Sequence, residues 1–338
     1  MEVVSYQCPH CGAPIAFDAD QHTFHCDFCG QDASKEELIK REGEAIDADK
    51  LKQYHCPSCG ADLVTDENTA ATFCRFCGSP GIVRQNLEGV FKPDQVIPFH
   101  VSKDKAQALF AKWCHRGRFA PRGFFSKQQL EKITGTYVPF WLFDCDVNST
   151  ISGTAKKIRT WRSGDREYTN TKNFFVMRSG EFSFRGVPAD GSSRMDDDLM
   201  DALEPYQYEE MVPFDLPYLS GFAAEKYDIP AKEVFKRVDK RMDEAAESTL
   251  RQSISGYSSQ VITGKQKHYR LAKSRYVLMP VWMLRYHYQN QDYIFAVNGQ
   301  TGKVVGKPPV SKGKVMAYMG ALTAGLFAVL TLGGALLL

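Results

Sequence analysis

Eight cysteines in four Cys-x2-Cys pairs constrain this chain more than any other feature. The first set runs Cys8-x2-Cys11-x14-Cys26-x2-Cys29, and the second Cys56-x2-Cys59-x14-Cys74-x2-Cys77. Each pair makes a tight knuckle that presents two sulfurs, and the intervening stretch allows one β-hairpin to bring two knuckles together. Four thiolates so gathered suit the tetrahedral preference of Zn²⁺. A glycine follows the second cysteine of every pair (Gly12, Gly30, Gly60, Gly78), where the chain must turn sharply. Sites with four protein ligands are closed and structural, so the spacing predicts two Zn²⁺ ions without catalytic roles. A module this small buries little apolar surface, and the metal supplies most of its folding energy. Only Cys114 and Cys145 stand outside the pairs, which is metal-ligand arithmetic and not a disulfide framework.

The two sets are copies. YQCPHCGA at Tyr6 recurs as YHCPSCGA at Tyr54, and Phe28 of the first copy corresponds to Phe76 of the second. The pattern predicts a zinc ribbon over 1–32, a linker helix over 33–53 opened by the capping box Ser34/Glu37, and a second ribbon over 54–84. Residues 90–310 then read as an α+β domain with antiparallel strands. Within it, strands are predicted at Gln95–Val101, Gly135–Ile151, Phe174–Phe184, Ser258–Thr263, Tyr276–Tyr288 and Tyr293–Val297. Helices are predicted over Lys103–His115 and Pro230–Ser253, where Val234, Phe235, Val238, Met242 and Ala245 follow helical spacing. Residues 186–215 read as an irregular insertion. YVPFW at Tyr137 and YVLMPVW at Tyr276 form a second, weaker repeat.

Charge divides the chain. Its net charge is +2, yet residues 1–90 carry 7 Lys/Arg and 15 Asp/Glu, whereas residues 264–314 carry 10 Lys/Arg and the single acid Asp292. The acidic ribbon region repels phosphate, so nucleic acid is not the expected partner there. Residues 315–338 hold no charge. At about 1.5 Å per residue they span roughly 36 Å, enough for a hydrocarbon core of about 30 Å. The reading is a single C-terminal transmembrane helix. Lys303, Lys307, Lys312 and Lys314 precede it. They place the folded part in the cytoplasm of a single-pass protein of the cell membrane, with anionic lipid as a further contact. The N-terminus has no basic region leading into an apolar run, consistent with tail anchoring.

No constellation of catalytic residues emerges. Walker, G-x-S-x-G and H-E-x-x-H patterns are absent. His100, His115, His268 and His287 are scattered, Asp196-Asp197-Asp198 reads as a solvated loop or helix start, and Asp144 with Asp146 shares one face of a strand. The expectation is a protein that is not an enzyme.

The CPxCGA knuckles, the VIPF and YVPFW strands and the C-terminal VWMLRYHYQNQDYIFAVNGQTGKVVG segment together resemble bacterial transcription factor IIB-type zinc-ribbon membrane proteins, over nearly the whole chain. Members of that family are encoded beside phage-shock protein A-like and SPFH-domain proteins. The resemblance implies a membrane-anchored adaptor that recruits such a protein scaffold during envelope stress. A zinc-ribbon regulator that binds nucleic acid in replication or transcription is the alternative. The family supplies no catalytic residues, so the eight cysteines are the only site residues.

Overall fold

The computed structural model describes residues 3–4, 6–40, 53–55, 62–64, 69–73, 80–83, 91–116, 121, 130–288 and 291–337. The chain begins with β1 (Val3–Val4), β2 (Ala16–Asp18), β3 (Thr23–His25), β4 (Asp32–Ala33) and the short helix α1 (Lys35–Lys40). The capping box forms as its pattern predicts. Ser34 N–H donates to Glu37 at 2.8 Å, and Glu37 N–H donates to Ser34 at 3.3 Å. The rest of the linker helix, expected to residue 53, lies outside the described residues up to 52, and β5 (Gln53–His55) comes after it. Next come β6 (Asp62–Val64), β7 (Thr69–Phe73), β8 (Pro80–Val83), β9 (Gln95–Val96) and α2 (Lys103–Arg116), with Ala106 and Phe110 of α2 buried.

Three very long strands dominate the remainder of the chain. β10 (Thr134–Ser163) turns through Gly164-Asp165 into β11 (Arg166–Asp190), its antiparallel partner. α3 (Asp197–Ala202), β12 (Val212–Pro213), β13 (Ala223–Glu225) and α4 (Ala231–Gln252) then lead to the third, β14 (Ser259–Tyr288). β15 (Gln291–Asn298), β16 (Val304–Gly306) and α5 (Lys312–Leu337) complete the chain. The two separate strands expected at 258–263 and 276–288 are one continuous strand.

These strands build one eleven-stranded mixed sheet whose main path is β1-β8-β7-β13-β10-β14-β15-β16. β10 is central: β14 runs antiparallel along one edge from Thr134 to Lys156, and β11 takes the other edge from Phe140 to Ser163. The weak internal repeat is a pairing, since Tyr137 faces Pro280 and Trp141 faces Tyr276 in the β10–β14 register. Strands of the ribbon region join the same sheet, because β7 pairs with β13 and β1 with β8.

Side chains alternate along a strand, and β10 uses this to bury one face. Phe143, Cys145 and Val147 pack beneath Val234, Val238 and Met242 of α4, and Ile151 and Ala155 beneath Leu250. The buried stripe on α4 is Val234, Val238, Met242, Ala246 and Leu250, so Ala246 replaces the expected Ala245. Every four-residue step overshoots a helical turn by about 40°. The stripe therefore winds around α4 and tracks the twist of the sheet beneath it. A second core gathers Phe99, Tyr137, Phe222 and Trp282, with Phe99 stacked on Phe222 at 4.0 Å and 5°.

The fold departs from the sequence expectation in class. It is a mostly β structure with helices packed on one mixed sheet, and the expected C-terminal transmembrane helix over 315–338 is corrected. A helix, α5, does form there, but among the described residues no helix is long and apolar enough to cross a membrane. α5 begins with two lysines in three residues, Lys312 and Lys314. The single-pass cell-membrane placement and the tail anchor rested on that span and fall with it.

Candidate metal centre

The first ribbon is three short strands and two knuckles. β2 and β3 form a hairpin in the register Ala16–His25, Phe17–Phe24 and Asp18–Thr23, and β4 extends it beside β3. Asp18 closes the hairpin with an Asx turn. Its carboxylate accepts from Asp20 N–H at 2.8 Å and from Gln21 N–H at 3.1 Å. The knuckles are built alike. Gly12 N–H donates to the Cys8 carbonyl at 2.9 Å, and Gly30 N–H to the Cys26 carbonyl at 2.8 Å. Both glycines adopt left-handed φ, 76° at Gly12 and 67° at Gly30. An L side chain would be strained at either position.

This frame brings Cys8, Cys11, Cys26 and Cys29 together with their Sγ atoms all within 4.8 Å of one another. The closest pairs cross between knuckles, Cys8–Cys29 and Cys11–Cys26, each at 3.6 Å. A tetrahedron of sulfurs about 2.3 Å from a central metal has edges of about 3.8 Å. The quartet therefore fits one metal ion. Cys8 and Cys26 are buried, while Cys11 and Cys29 face solvent.

The four thiols differ in acidity. Burial opposes ionisation of Cys8, yet backbone N–H groups of His10 and Cys11 and the sulfurs of Cys29 and Cys26 bring it down to about 7. At Cys29 the Gln31 backbone bond favours the thiolate but is outweighed by desolvation and the three other sulfurs, which push it up to about 12. One proton leaves easily and the last reluctantly. Four thiolates this close need a cation among them.

The ribbon is locked to the body. Phe17 N–H donates to the Ser220 carbonyl at 3.1 Å, the Ser220 hydroxyl donates to the Ile15 carbonyl, and Lys35 Nζ meets Asp215 Oδ2 at 2.6 Å. Phe17 and Phe24 set their rings against Tyr218 at 5.7 and 6.2 Å. Close approach fixes the identity of Gly221, whose φ is +90° and whose Cβ would fall 2.8 Å from that of Ala16. Gly221→Ala is expected to lower stability by about 1–3 kcal/mol, a typical cost of local backbone strain, measured by urea unfolding.

The other candidates find structural partners. Cys56, Cys59, Cys74 and Cys77 lie outside the described residues. Asp146 pairs with Arg185 at 2.6 Å, which holds its carboxyl below the usual range, and Asp144 accepts from Gly186 N–H at 2.8 Å. Asp196 caps α3 by accepting from Leu199 N–H at 2.8 Å, and Asp197 pairs with Arg237. His100 lies 3.3 Å from Glu210, His268 is exposed on β14, and the side chains of His115 and His287 are outside the described set. Cys114 is buried, and burial pushes its thiol up to about 12. A thiol so held stays protonated and unreactive. The spacing carries no sign of one residue that the structure brings forward: Phe28, between the ligands Cys26 and Cys29, is 88% exposed.

The chain is 44% identical to the uncharacterized protein YdjG of Bacillus subtilis (strain 168) over 331 residues, 98% of this chain and 97% of that one. It belongs to the YdjG family. No family model matches the chain, and no solved structure matches it. The likeness to YdjG runs almost from end to end, so it takes in the ribbon region as well as the long-stranded sheet.

Proposed function

We propose that the chain is a non-enzymatic adaptor in which two zinc ribbons, one Zn²⁺ ion each, present a docking surface to a protein scaffold of the SPFH or phage-shock type. The observation that carries this reading is Phe28. Its ring stands 88% exposed on a knuckle whose quartet offers a metal four ligands from the protein. An exposed aromatic group is the kind of anchor that protein interfaces place at their energetic centre. Zn²⁺ is the ion that an all-thiolate tetrahedron suits best, and the copied spacing supports a second one. The class of partner comes from the resemblance to the IIB-type zinc-ribbon family.

The test uses the tagged full-length protein in its host. Phe28→Ala is expected to reduce capture of an SPFH or phage-shock scaffold about tenfold, the effect of roughly 1.4 kcal/mol, while metal content stays the same. Elemental analysis is expected to give two zinc ions per chain, and one after Cys56→Ser. Equal capture by Phe28→Ala and the unaltered chain would remove the docking assignment, and iron in place of zinc would remove the ion.

A further inference from the structure

The long strand β10 carries two complementary features at its opposite ends. At the far end, the β10–β11 hairpin extends beyond β14, whose pairing stops at Lys156–Ser259. Every residue from 156 to 175 is exposed. Trp161 faces Tyr168 across the hairpin, and their rings stack with centroids 5.6 Å apart at 14°. Both are more than two-fifths exposed, at 45% and 42%. Strand alternation puts Lys157, Arg159, Arg166 and Lys172 on the same face as these rings. Glu167 falls on the other face, beside Arg162, and Asp165 sits in the turn. The strand positions on one face of the tip are thus aromatic and cationic, with no acid among them.

At the near end of β10, Thr134 and Gly135 line a groove of about 750 Å³ between the first ribbon and the body. Phe17, Ile133, Phe222 and Trp282 form its apolar wall. Its charged lining is Asp18, Asp20, Asp27, Asp104 and Glu131 against Lys103 and Lys132. The volume is that of a pocket for a small ligand or a few side chains. Its chemistry, apolar with acids around it, is the inverse of the tip.

We propose that the arm tip of one copy seats in the groove of a second copy, linking chains head to tail. The tip does not reach its own groove. From Thr134 to Ser163 an extended strand covers about 95 Å at roughly 3.3 Å per residue. β11, β14 and α4 stiffen it. Donor and acceptor at opposite ends of one rigid element make a heterologous contact, which builds rings or open chains. Nucleic acid would engage the cationic tip alone and leave the acidic groove without a role. Arm and groove carry this pairing whatever partner docks on Phe28.

The test is sedimentation of the full-length, metal-loaded protein at about 50 mM and about 500 mM salt, conditions that change screening strongly. Concentration-dependent association is expected at the lower salt and its loss at the higher. Arg159→Glu with Lys172→Glu reverses the tip, and Asp20→Lys with Glu131→Lys reverses the groove; all four positions are exposed. Each variant alone is expected to associate at least about tenfold more weakly, whereas an equimolar mixture of the two associates again, because opposite charges then meet at both contacts. A protein that stays monomeric at low salt overturns the proposal. So does association that both reversals leave unchanged, which would come from another surface such as the exposed apolar side chains of α5. Loss of oligonucleotide binding in the tip variant with unaltered sedimentation would make the arm a nucleic-acid surface and also overturn it.

Discussion

Cys26→Ser is expected to remove one metal ion per chain and to loosen the first ribbon at a cost on the order of 3–5 kcal/mol, among the largest effects a single replacement has. Cys26 is 0% exposed and its sulfur lies 3.6 Å from that of Cys11, so a serine oxygen there is a poor, buried ligand and not a tolerated surface change. Within the ribbon little besides the metal joins one knuckle to the other. Its own buried side chains are few, among them Tyr6, Ile15, Phe17 and Phe24, and they share the core of the body. Loss of the metal frees both knuckles and, with them, the contacts of Phe17 and Ser220. Elemental analysis should show the missing ion. Limited proteolysis should show new cleavage within residues 6–33 while the β10–β14 sheet stays protected. A chelator should reproduce both results in the unaltered protein. Metal release should also quicken from pH 8 to pH 6, because binding requires thiolates and protons compete for them. An unaltered metal count after Cys26→Ser would remove the quartet as the site.

Much of this centre is legible in the sequence, and the reason is that ligand chemistry is local. Cys-x2-Cys and the glycine after it determine a knuckle within five residues, and the capping box at Ser34 is equally short-ranged. The helix over Lys103–Arg116 shows itself through Ala106 and Phe110, and α4 through Pro230 and its apolar spacing. Signals fail where neither face of an element is buried. β10 beyond Ala155 is exposed on both sides, so residues 156–163 show no period-two apolar pattern and fall outside the predicted strand, which ends at Ile151. Their strand character comes from the pairing with 166–173. The docking of the ribbon is also invisible, because Ile15 and Ser220 are 205 residues apart. The tail shows the opposite failure: composition alone proposed a membrane span, whereas among the described residues no helix is long and apolar enough to cross a membrane.

Arg237→Ala is the other replacement with a large expected effect, about 3–5 kcal/mol, the usual cost of breaking a buried ion pair from one side. Asp190, at the end of β11, is 1% exposed, and Arg237 of α4 reaches it at 2.6 Å. The same guanidinium pairs with Asp197 and lies 3.7 Å from Asp201, while Arg241 one turn on meets Glu204 at 3.0 Å and the Pro188 carbonyl at 2.9 Å. These bonds clamp α4 to β11 and α3. Burial already outweighs Arg237 and holds the Asp190 carboxyl above the usual range. A carboxyl whose folded pKa is raised destabilises the fold as it ionises, so its contribution is best at low pH and is lost as pH rises through the folded pKa. Removing Arg237 raises that pKa further and enlarges the penalty at neutral pH. Asp190→Asn in the same chain removes the charge and is expected to recover most of the loss. Urea unfolding of the single and double variants at pH 8 and pH 6 checks this, with metal effects common to both. The gap between them should narrow as the pH is lowered and the lone carboxyl takes up its proton. A double variant no more stable than Arg237→Ala would mean that the arginine holds α4 by its bonds to Asp197 and Asp201, and not by neutralising Asp190.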